Sequence, residues 1–123
     1  MLRTFLVLAL LAPTFALAQA SFPTVFPADA VPFEPEALKQ RLAGKVFIMK
    51  PAAGAEIRLQ YQDTNAYFNV GGASDSGKWR VDDSSVCVDW RRIAPGCSEM
   101  RRVGDTIYTK RASNGEVVVL QPQ

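Results

Sequence analysis

The chain has 123 residues, 48% of them hydrophobic and 21% charged, with a formal net charge of +2 and no histidine. Such a length suits one domain, and a near-neutral balance argues against nucleic acid as a partner. Without histidine the chain lacks the usual general base and the commonest metal-ligating side chain.

Residues 1–20 read as a cleavable leader. Arg3 supplies the positive start, Phe5 to Leu11 is an unbroken apolar run, and Ala16-Leu17-Ala18 and Ala18-Gln19-Ala20 both fit small-x-small cleavage sites. Cleavage after Ala20 is favoured, with Ala18 the alternative. The run is too short and too interrupted by Pro13 to span about 30 Å of hydrocarbon. No cysteine lies near the cleavage site for a lipid anchor, and no later segment is apolar enough to cross a membrane. The expected product is periplasmic or secreted, about 103 residues long, with a charge of about +1.

Residues 21–35 form a Pro- and Phe-rich arm. Pro23, Pro27, Pro32 and Pro35 deny it regular structure, while Phe22, Phe26 and Phe33 argue against a freely solvated tail. The single β domain is expected over 36–123, starting with the only good helix candidate, Glu36 to Ala43. Pro35 suits its first position, Phe33 and Leu38 have hydrophobic-staple spacing, and Leu38 and Leu42 make one apolar edge. Gly44 can take the left-handed position that closes it.

From Lys45 the apolar period becomes two. Short strands are expected over Val46–Met49, Ile57–Tyr61, Ala66–Val70, Lys78–Val81, Val86–Trp90, Ser98–Val103, Thr106–Lys110 and Val117–Leu120. Gly71 to Gly77 reads as a flexible loop. Asp63-Thr64-Asn65, Asp82-Asp83-Ser84, Gly104-Asp105 and Ser113-Asn114-Gly115-Glu116 read as turns. The fold class is therefore mainly β: an antiparallel meander forming a small barrel or sandwich, with one short N-terminal helix.

Export and an even cysteine count favour a disulfide between Cys87 and Cys97. It would close a loop of about 11 residues, worth roughly 2.5–3 kcal/mol. A free thiol or a metal pair is the competing reading, with no histidine and no second cysteine pair to support it.

The run Gly77-Lys78-Trp79-Arg80-Val81, followed by Cys87-Val88-Asp89-Trp90, Cys97 and Gly104-Asp105, resembles a family of small exported bacterial proteins. That family is a domain of unknown function with a G-x-W…C-x-x-W…C pattern. The stretch from Leu38 through Leu42-Ala43-Gly44-Lys45-Val46-Phe47 is similar too. The resemblance implies an exported β domain with a disulfide and brings no activity. In architecture alone, the arm and single disulfide are similar to the small barrel of bacterial metalloprotease inhibitors.

No catalytic residue set emerges, and the chain is expected not to be an enzyme. Nucleophilic catalysis wants a base beside the nucleophile, and the serines fall in or beside turns. Asp82-Asp83 reads as a hairpin tip. Asp89 faces away from the apolar side, with Arg91 or Arg101 its expected partner. Zinc, calcium and phosphate-loop signals are absent, so no cofactor is expected. The remaining constellation is Trp79, Arg80, Trp90, Arg91, Arg92, Arg101 and Arg102, a candidate surface for anions, sugars or bases. The alternative for these residues is an ordinary solvated strand face. Tyr61, Tyr67, Phe68, Phe47, Trp79 and Trp90 could line a cavity if the sheet closes, although a barrel this small is more often filled by side chains. The expected function is binding of a protein partner or a small apolar ligand in the bacterial envelope. The alternatives are an accessory envelope protein docking through its arm and a hydrolase acting on envelope polymers.

Overall fold

The structure, a computed structural model, describes residues 21–123. The leader expected over residues 1–20 lies outside the described residues. Ten elements follow in order: β1 (Val31–Pro32), α1 (Pro35–Leu42), β2 (Val46–Met49), β3 (Ile57–Tyr61), β4 (Asn65–Val70), β5 (Ala73–Asp82), β6 (Ser85–Trp90), β7 (Gly96–Val103), β8 (Thr106–Lys110) and β9 (Val117–Pro122). Strands β2 to β9 pair antiparallel, each with the next. The last returns to the first, with Phe47 opposite Pro122 and Ile48 opposite Gln121. This closes an eight-stranded up-and-down barrel. Closure removes the sheet edges that would otherwise recruit other chains.

Alternation along each strand decides what faces inward. Phe47 and Met49 on β2, and Ile57, Leu59 and Tyr61 on β3, are buried while their neighbours are less so. Connections in a meander alternate between the two ends of the barrel. The β3–β4, β5–β6 and β7–β8 turns share one end with α1. Helix α1 plugs that end through Leu38 and Leu42, both fully buried. Pro35 occupies the first helical position, and Phe33 packs with Leu38 as the staple pattern predicts. Gly44 takes φ +74° and passes the chain into β2. Arg41 Nη2 donates to Asp105 O at 2.8 Å, holding the helix to the β7–β8 turn.

The arm lies on the outside of the barrel. Val117 N–H donates to Pro23 O at 2.8 Å, Phe26 is buried beneath the Arg101 guanidinium, and β1 pairs with β7 at Arg101 and Arg102. Ser84 Oγ accepts from Phe33 N–H at 3.0 Å and donates to Met100 O, fixing the route from arm to helix.

Several boundaries differ from expectation. Ala73 to Gly77 is the first half of β5 rather than a flexible loop, because it pairs with β4 from Val70–Ala73 onward. The turn is only Gly71-Gly72, with Gly71 at φ +56°. Strand β9 runs past Leu120 and ends at Pro122.

Candidate functional site

The two halves of the barrel differ in what points inward. At the plugged end large side chains meet: Phe47, Tyr61, Trp79, Met100, Ile107 and Leu120. Tyr61 stands edge to face with Phe47 and Trp79, at centroid distances of 6.2 and 5.2 Å. Trp79 Nε1 donates to Gln62 O at 2.6 Å, giving the buried indole its partner.

Toward the open end the inward positions shrink. Val86 and Val88 on β6, Gly96 and Ser98 on β7, and Thr109 on β8 leave space that their cross-barrel neighbours do not fill. The result is a cavity of about 500 Å³. Its walls are Met49, Ile57, Leu59 and Val70. Tyr61, Met100 and Thr109 also line it. Ile93, Ala94, Pro95 and Ala112 stand at its mouth. Phe68 and Trp90 meet edge to face at 4.9 Å on one side of it. Burial raises the Tyr61 phenol well above its ordinary range, so the hydroxyl stays protonated and can donate to an occupant. Arg111 is the one charged residue among those lining the cavity, and its Nη1 lies 3.6 Å from Glu116 Oε1.

Two buried acids hold the loops around the mouth. Asp75 is 8% exposed. Its carboxylate accepts backbone N–H bonds from Ser76 at 2.8 Å, Arg92 at 2.9 Å and Ile93 at 3.2 Å. Burial alone would raise its pKa, but these N–H donors, with that of Arg91, outweigh burial and hold the carboxyl below the usual range. Glu116, 2% exposed, accepts from Ala52 N–H at 3.0 Å. It therefore ties the β2–β3 loop to the β8–β9 loop. Asn114 Oδ1 accepts from Glu116 N–H at 3.0 Å and shapes that turn. Neither acid stood out in the sequence: Asp75 sits in a Gly/Ser run and Glu116 in a hairpin signal. The hairpin signal Ser113-Asn114-Gly115-Glu116 pointed to a turn there and to nothing more.

The residues expected to form one binding surface are dispersed. Trp79 points into the core and Trp90 into the cavity. Arg80 is outside, its Nη1 3.5 Å from Asp89 Oδ2, and both side chains are largely exposed. Asp89 therefore pairs with Arg80, not Arg91 or Arg101. Lys78 lies opposite Asp89, and this register sets Arg80 diagonally beside it on the outer face. Arg101 bonds Glu99 at 2.9 Å and covers Phe26 at 4.7 Å. Arg102 is exposed opposite Val31. Only Arg91 and Arg92 remain together, on the β6–β7 loop. Of the aromatics expected around a cavity, Tyr61, Phe68 and Trp90 line it, Phe47 and Trp79 are core, and Tyr67 faces outward.

Cys87 and Cys97 are bonded and directly opposite across β6 and β7. At Gly77 any Cβ would collide with the backbone of Asp89 and Trp90. Among the described residues no three of His, Cys, Asp and Glu stand close enough to hold a metal, and no helix is long and apolar enough to cross a membrane. Comparison with protein-family models, with curated proteins and with solved structures found no match.

Proposed function

We propose that this protein is a non-enzymatic binding barrel of the bacterial envelope or extracellular space, taking a small apolar molecule into its open end. The observation that carries the reading is the cavity of about 500 Å³ above an aromatic and aliphatic floor. Its size falls within the roughly 300–1,000 Å³ of small-molecule pockets. A few polar groups, the Tyr61 hydroxyl, Ser98 and Thr109, stand among apolar walls and would orient an occupant. The cavity walls present no acid, thiol or histidine, which supports binding without catalysis. The leader pattern in residues 1–20 and the Cys87–Cys97 bond support an oxidising, extracytoplasmic location. The arm reading has less to stand on, since Phe26 and Phe33 are already buried against the barrel.

The test uses N-phenyl-1-naphthylamine, an apolar dye that brightens on leaving water. It should bind saturably and quench Trp90. Ser98→Phe, which fills the cavity from β7, should weaken uptake at least about tenfold with the fold retained by circular dichroism. Absence of saturable binding, or equal binding by Ser98→Phe, would end the reading.

A further inference from the structure

A second concavity lies on the outer surface, on the far side of the β6–β7 loop from the barrel interior. Its volume is about 510 Å³. Alternation makes it. On β5 the outward residues Ser74 and Ser76 are small, while on β4 the outward Tyr67 and Asn69 are larger. Gln60 stands opposite Tyr67 on β3. Arg91 and Arg92 form the other wall. Small residues between two taller rows leave a groove.

The groove offers hydroxyls, carboxamides, one phenol and two guanidinium groups, with the Phe68 ring and the Asp75 carboxylate also in its lining. Among the described residues none of the hydroxyl, carboxamide, phenol or guanidinium groups hydrogen-bonds to another protein group, and neither arginine has a carboxylate within ion-pair distance. The one acid beside them is Asp75, and backbone N–H donors occupy its carboxylate. Those same bonds fix the loop, because Arg92 N–H and Ile93 N–H are held by Asp75 and Arg91 N–H donates to Ser76 O at 3.1 Å. Both arginines are thus presented from a pinned backbone. A planar ring for stacking, amides and hydroxyls for sugar hydroxyls, and two guanidinium forks for carboxylates suit a sugar that carries carboxylates.

We propose that this outer groove binds an acidic oligosaccharide, one whose sugars carry carboxylates. Tyr67 would stack on a sugar face, Arg91 and Arg92 would take carboxylates, and Gln60 and Asn69 would take hydroxyls. The groove shares Phe68 with the barrel cavity, but none of the side chains proposed to contact the sugar lines that cavity.

Trigalacturonate is the probe, titrated by isothermal calorimetry with ¹⁵N NMR mapping. It should bind with shifts centred on residues 67–76 and 91–92, weakening as salt rises. Arg91→Ala/Arg92→Ala should weaken it at least about tenfold, and Tyr67→Ala should weaken it several-fold. Alanine keeps the N–H that Asp75 holds, so melting temperature and dye uptake should not change in the arginine variant. Neutral maltotriose should not bind. No binding, equal binding of maltotriose, or indifference to the arginine variant would overturn the proposal. Equal binding and competition by inorganic phosphate would reduce the groove to a small-anion site and would also overturn it. Because dye uptake is measured separately, failure here and failure of the cavity reading are distinguishable.

Discussion

Asp75 is a carboxylate placed where an inward-facing strand residue is usually apolar. It lies opposite Phe68 on β4 and takes N–H bonds from a loop that has no strand partner of its own. Its consequence is a sign-definite dependence on pH. The native carboxyl binds its proton more weakly than the unfolded one. Below about pH 4 the unfolded chain therefore takes up the proton first, and stability falls as pH decreases toward the lowered native pKa. Above that range the contribution is fully present. Asp75→Asn should lower the melting temperature at neutral pH and flatten the acid limb of the melting curve. Amide exchange at Arg92 and Ile93 should accelerate in the same variant. A wild-type acid limb in Asp75→Asn would mean that other carboxyls govern acid unfolding.

At the scale of elements, the arm and α1 act as a strap and a plug. The helix has only eight residues, too few for independent stability, so packing must hold it. Its N-cap, Glu34, makes no side-chain capping bond. What fixes it is Phe33 against Leu38 at the start, Leu38 and Leu42 in the core, and Arg41 on the β7–β8 turn. Leu38 is 0% exposed among Phe33, Tyr61, Trp79 and their neighbours. Leu38→Ala should cost about 2–5 kcal/mol in urea unfolding, a large part of the roughly 5–15 kcal/mol total of a typical domain. Val25→Ala, at a position 78% exposed on the arm, should change stability by less than about 0.5 kcal/mol. Similar costs for the two substitutions would show that α1 is not part of the cooperative unit.

For the whole molecule, what could be read beforehand follows the range of the interactions. Period-two alternation and turn residues are local, so β2, β3, β4 and β8 fell close to their expected positions. The first half of β5 did not, because Ser-Asp-Ser-Gly has loop composition and only its ladder to β4 makes it strand. Barrel closure rests on Phe47 meeting Pro122, a pairing across nearly the whole domain that no local pattern encodes. The cavity depends on small residues of several strands meeting at one level, which is equally non-local. Trp79 and Arg80 adjoin in sequence, yet strand geometry sends them to opposite faces, and so the expected Trp–Arg surface divided. The disulfide joins β6 and β7 below the mouth loop, and barrel, staple and occupant should share one unfolding transition. Cys87→Ala/Cys97→Ala should lose about 2.5–3 kcal/mol through the freer unfolded chain, while keeping dye affinity, since ladder pairs close the barrel without it. Dye at about a hundredfold its Kd should restore roughly 2.7 kcal/mol, returning the variant close to the unliganded wild type. Calorimetric melting of the four combinations measures both shifts. If the cysteine-free variant keeps its β circular dichroism but loses dye binding, the disulfide shapes the mouth as well as constraining the unfolded chain.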